Sequence, residues 1–83
     1  MSLAEVRAQI DRVDAKILRL LGARARLVAE AWAIKEAQGT PAIDPEREAE
    51  ILAQLQALAL TEGLNPADVL RIWQEIVRVR PAG

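Results

Sequence analysis

An all-α fold follows from three features of the sequence. Ala, Leu, Arg and Glu dominate it and aromatic residues make up only 2%, a composition of helix formers with few residues that favour strands. Most of its glycines and prolines gather at a few places and leave long uninterrupted stretches between them. Within those stretches apolar residues return at three- and four-residue spacing, the period of an amphipathic helix.

The first helix is predicted over residues 3–38, ended by Gly39 in the C-cap position and by Pro41 just beyond it. The second starts at Asp44-Pro45, with Asp44 as N-cap and Pro45 at the first helical position, and runs to residue 62, with Gly63 to close it. "NPAD" then opens a third over residues 66–80: Asn65 caps it, Pro66 leads it, and Asp68 has the spacing of a capping box. The whole chain, residues 1–83, reads as a single helical domain.

A helix of about 36 residues is roughly 54 Å long, whereas a compact chain of 83 residues has a diameter of roughly 30 Å. The first helix cannot fit inside its own domain. Its apolar stripe nevertheless runs from end to end: one heptad row is Leu3, Ile10, Ile17, Arg24, Ala31, and the next is Val6, Val13, Leu20, Leu27, Ile34. Another chain must cover the protruding part. A two-fold symmetric homodimer is the simplest solution, with the long helices paired and the short helices folded back over both. Ile51, Leu52, Leu55, Leu58 and Ala59 of the second helix, and Val69, Ile72, Trp73, Ile76 and Val77 of the third, are the core side chains this arrangement predicts.

Cysteine and histidine are both absent. Disulfides, thiolate or imidazole metal sites, Cys nucleophiles and His general bases go with them, and carboxylates, Lys, Arg, Ser and Thr are the polar chemistry that remains. A net charge of −1, from 11 basic and 12 acidic residues, provides no basic face for nucleic acid or anionic lipid. The opening "MSLAEVRAQID" carries acids where a signal peptide carries a basic segment, and no stretch approaches the length of an apolar membrane span. A cytoplasmic protein, with no nucleic-acid or membrane partner, is the expectation.

Charges interrupt the apolar stripe. Arg24 occupies a row otherwise held by Leu, Ile and Ala, and the adjacent row reads Arg7, Asp14, Leu21, Val28, Lys35. An ion buried without a partner costs several kcal/mol, so each of these is paired, reaches water along its stem, or awaits a charged ligand. Arg24 and Lys35 return to within about 20° of one face, about 16 Å apart. Arg47 adds a third cation in an unfavourable place, the first turn of a helix, where the dipole disfavours positive charge. Cations on one inward face suggest a pocket for a small polyanion, the plainer alternative being seam charges that snorkel or pair with Glu and Asp. Asp14 reads as an acceptor for a seam cation.

An Arg in "VRAQID", then "LLGAR", then "AIK", then "DPERE" after a Gly-Pro loop: in that order, this set resembles the all-helical AroQ-class chorismate mutases across nearly the whole chain. The resemblance implies an intertwined homodimer with two equivalent active sites, each completed by an Arg from the partner's long helix. It makes Arg7 that Arg, holding one carboxylate of chorismate, with Arg24 of the other chain holding the second. Lys35 then bonds a carboxylate and the ether oxygen of the breaking C–O bond, while Glu48 and the backbone near Asp44 hold the ring hydroxyl. Arg47 contributes positive charge at the wall, and Ala31 and Val77 match apolar lining positions.

The implied reaction, chorismate to prephenate on the route to Phe and Tyr, is a unimolecular Claisen rearrangement that takes no cofactor and no metal. It needs a dicarboxylate held in a near-attack conformation and cations aimed at the developing oxyanion, for which Arg forks and a Lys point charge are suited. One departure stands out. Near the end of the third helix the family places a small hydroxyl residue and, a turn later, a Gln or Glu on the ether oxygen; here Arg80 is followed by "PAG". Low activity, a substitute contact from Arg80, or completion by a docked enzyme of the same pathway are the expectations that follow, with Arg80 serving the helix C-terminus as the plainer role. Isochorismate pyruvate-lyase, aminodeoxychorismate mutase, and a non-catalytic or partner-activated dimer of the same fold are the alternatives. "DPERE" favours the mutase.

Overall fold

The computed structural model describes residues 1–41 and 43–83 and consists of three α-helices, α1 (Leu3–Gln38), α2 (Pro45–Thr61) and α3 (Pro66–Ile76). Each begins on a side-chain cap. Ser2 Oγ accepts from the Glu5 amide at 3.1 Å, Asp44 Oδ1 from the Arg47 amide at 3.2 Å, and Asn65 Oδ1 from the Ala67 amide at 2.9 Å. These oxygens satisfy amides that a helix start leaves without a partner. The reciprocal arm expected from Asp68 is engaged elsewhere, because its carboxylate takes a hydrogen bond from Arg71 Nη2.

α1 and α2 end in the same way. Gly39 and Gly63 adopt φ of 67° and 71°, and the following amides turn back: Thr40 N to Lys35 O at 2.9 Å, and Leu64 N to Ala59 O at 2.8 Å. Such a left-handed closing residue carries no Cβ penalty when it is glycine. α3 is shorter than the sequence predicts and stops at Ile76 rather than residue 80. Beyond Ile76 the amides of Arg78 and Val79 pair three residues back, to Glu75 O and Ile76 O. That tightened turn, followed by Pro81, which disfavours helical backbone at Arg80, ends the helix early.

The chain measures 55 × 31 × 16 Å with a radius of gyration of 16.1 Å, against about 12 Å for a compact domain of this length. α2 and α3 pack closely on each other, whereas α1 meets them mainly near its middle, where residues 21–24 are half-buried and Ala25 is buried. Among the described residues Ala25, Leu55 and Ala59 alone form the buried apolar core. Several side chains predicted to be core are open in the single chain: Leu58 and Ile72 are 57% and 58% exposed, and Leu52 and Val77 are also exposed. Three helices, one of which projects past the other two, do not supply enough layers to cover them. Among the described residues no helix is long and apolar enough to cross a membrane.

Candidate active site

Where the three helices meet, two adjoining clefts share Ile51 and Trp73 in their walls. The smaller, about 220 Å³, holds Arg24 of α1 with Arg47 and Gln54 of α2, against Leu55 and Leu58. The larger, about 480 Å³, is mostly apolar and is lined by Glu48, Leu70, Gln74 and Val77 among others. Cations thus face one cleft, and an acid with an amide borders the other. Two guanidinium groups on one half-apolar wall repel each other, and a bound anion relieves that repulsion.

The local sequence accounts for each placement. Asp44 starts α2 so that Arg47 falls in its first turn, and helical spacing then sets Arg47, Ile51, Gln54, Leu55 and Leu58 along one face. Arg47 also reaches Glu50 Oε2 at 3.4 Å, in a pair whose side chains are 58% and 62% exposed. A long, solvated pair of this kind is worth about 0–1 kcal/mol, so the guanidinium is readily given up to a better acceptor. Arg24 is half-buried, and its Cζ lies 5.2 Å from the centroid of the Trp73 ring.

The remaining residues singled out in the sequence are placed as follows. Glu48 and Val77 border the larger cleft. Arg7 and Ala31 are exposed on α1 and Lys35 is half-buried in its last turn; they line neither cleft of the single chain. Arg80 Nη1 donates to Val77 O at 2.8 Å and to Val79 O at 3.3 Å, which is the helix-terminal role rather than a contact with either cleft.

Sequence reasoning passed over Gln54 and Gln74, which line the smaller and the larger cleft. Gln54 shares the face of Arg47, a signal present in the spacing. Trp73 was legible as a packing residue, but its stacking on Arg24 depends on where α3 crosses α1.

Comparison with known proteins gives this arrangement a family. The chain matches the family described as Chorismate mutase type II over residues 6–79. It belongs to the type II chorismate mutases. A chorismate mutase of Methanocaldococcus jannaschii is 35% identical over 75 residues, which cover 90% of this chain and 76% of that protein. A bifunctional chorismate mutase/prephenate dehydratase of Aquifex aeolicus is 40% identical over 78 residues, 90% of this chain and 22% of the relative. The T-protein of Enterobacter agglomerans is 44% identical over 72 residues, 83% and 19%. The chain therefore spans about three quarters of the first relative and about a fifth of the other two. No solved structure matches it significantly. In this type II chorismate mutase the fold brings Arg24 of the long helix and Arg47 of the "DPERE" helix start to one cleft.

Proposed function

We propose that this chain catalyses the rearrangement of chorismate to prephenate as a cytoplasmic homodimer. The observation that carries the reading is the shared cleft of Arg24 and Arg47 in a chain of this family. In the reaction the ether C–O bond breaks as a C–C bond forms within one molecule, with no net proton transfer. The protein's task is to hold a dicarboxylate folded and to stabilise negative charge gathering on the ether oxygen.

Arg24 takes one carboxylate, and Arg7 of the partner subunit takes the other. Lys35 meets a carboxylate and the ether oxygen, Glu48 and the backbone at Asp44 hold the ring hydroxyl, and Arg47 supplies charge at the wall. Ala31 and Val77 are apolar lining. Glu48 and Arg47 already border the clefts, and Lys35 lies on the same stripe of α1 as Arg24.

Two quantities support the dimer. The single chain exposes 6953 Å², about 2,000 Å² more than a compact protein of its mass exposes, an excess on the scale of obligate interfaces. The surplus is concentrated on α1, where Leu20 and Leu27 are 69% and 64% exposed and Leu3, Ile10, Val13 and Ile34 lie open on the same stripe. Fusion of the mutase to a prephenate-consuming enzyme, as named for the Aquifex relative, supports docking on such an enzyme.

The test is a parallel assay of chorismate and isochorismate, with Lys35→Ala as control. Prephenate formation that Lys35→Ala abolishes is the expected result. Pyruvate release from isochorismate without prephenate assigns the lyase instead, and no turnover of either substrate assigns a non-catalytic dimer.

A further inference from the structure

Trp73 stands apart from the other apolar residues of α3. It lines both clefts, it is only half-buried, and its ring lies under the Arg24 guanidinium at 5.2 Å. Its indole Nε1 is buried and has no hydrogen-bond acceptor among the described residues. A hydrogen bond therefore does not fix the ring; packing and the cation above it do.

Arg24 needs such a support. Its stem leaves α1 among apolar neighbours, and no carboxylate among the described residues is paired with it, whereas Arg47 is held by Glu50 and Arg71 by Asp68. A long guanidinium side chain with no fixed partner loses rotamer entropy each time it engages a ligand. An aromatic face within about 6 Å of the cation removes part of that loss, because the ring attracts charge without competing for the N–H donors, which stay free along the edge of the guanidinium plane. A carboxylate in the same place would hold Arg24 equally well but would neutralise it and occupy its forks.

We propose that Trp73 is a positioning residue for Arg24: it pre-orients the guanidinium over the cleft shared with Arg47 and leaves its donors open for a substrate carboxylate. The proposal rests on the chorismate reading above. It makes α3 part of the recognition machinery, through a face and not through a polar contact with substrate.

The experiment replaces Trp73 by fluorinated tryptophans in a Trp32→Phe background, so that the shape of the ring is kept while its attraction for a cation is progressively withdrawn. Steady-state chorismate kinetics should show kcat/KM falling stepwise with fluorine number, mostly through a rise in KM, since support of a carboxylate clamp acts on bound substrate and transition state alike. Trp73→Leu should cost about 10-fold, and Trp73→Phe should restore most of the loss. In an Arg24→Ala background the same changes should cost nothing further. A flat response to fluorination, or an equal loss from Trp73→Leu with and without Arg24, overturns the proposal. If the parent chain does not turn chorismate over, the mutase reading fails on its own, and the fluorinated series is read as the calorimetric Kd for chorismate. A Kd rising with fluorine number then upholds the role of Trp73; a chain that neither binds nor converts chorismate overturns both.

Discussion

Arg24 in the middle of α1 and Arg47 in the first turn of α2 line the same cleft. Their like charges are brought together by the fold, and among the described residues only Arg47 of the two has an acidic partner, at Glu50. On the proposed reading, removing either should weaken the grip on a dianionic substrate, but not equally. Arg24→Ala should lower kcat/KM for chorismate by about 100-fold or more, the cost of a preorganised donor. Arg47→Ala should lower it about 10-fold by loss of a charge at the wall. Glu50→Ala should stay within about threefold of the parent, since its pair with Arg47 is solvated and long. Continuous measurement of chorismate disappearance checks all three.

A site shared between subunits has a signature that no single variant shows. Arg7→Ala and Arg24→Ala homodimers should each be nearly inactive. Mixed in equal amounts, unfolded and refolded together, they should regain about a quarter of parental activity, because half of the dimers are then mixed and each of those has one site free of both substitutions. Recovery of no activity would place Arg7 and Arg24 of one chain in the same site, whereas an Arg7→Ala homodimer with parental activity would put Arg7 outside it.

Asp44 acts as the N-cap of α2. Its Oδ1 accepts from the Arg47 amide, and loss of that cap in Asp44→Ala should cost about 1 kcal/mol, seen as a lower Tm at fixed protein concentration. Asp44→Asn keeps an acceptor in the same place and should retain most of the stability. Activity should follow the same order, because the cap is what aims Arg47 and Glu48.

Gly39 closes α1 at φ 67°, and a Cβ added there would meet nothing within 4 Å. The cost of Gly39→Ala is therefore conformational rather than steric crowding by neighbours, about 1 kcal/mol. Urea unfolding at constant protein concentration should show a lower midpoint with an unchanged slope. Gly39→Asn should recover part of the loss, since Asn tolerates the left-handed region better.

The helices and most of their ends were legible because they are set locally. Asp44-Pro45, Asn65-Pro66 and the glycines at 39 and 63 each act within one turn of chain, so a sequence reading finds them. The end of α3 was harder: an apolar run continues through Val77 and Val79, and the switch to three-residue pairing competes with one more helical turn by a small energy that periodicity does not reveal. Asp68 shows the same limit, its spacing fitting a capping box while Arg71, three residues on, captured its carboxylate.

The sequence by itself determined that this chain is helical and lacks His and Cys chemistry, and that it sets cations into the apolar stripe of a helix too long for a compact domain of its size. These follow from composition, period and the fixed rise of a helix. Only the tertiary structure decided which of those cations meet: Arg24 and Arg47 share a cleft, Trp73 supports Arg24, and Arg80 turns back onto the end of α3. Such pairings depend on where helices cross, which follows from how buried side chains pack, and Ala25, Leu55 and Ala59, buried among the described residues, carry no charge pattern to be read in advance.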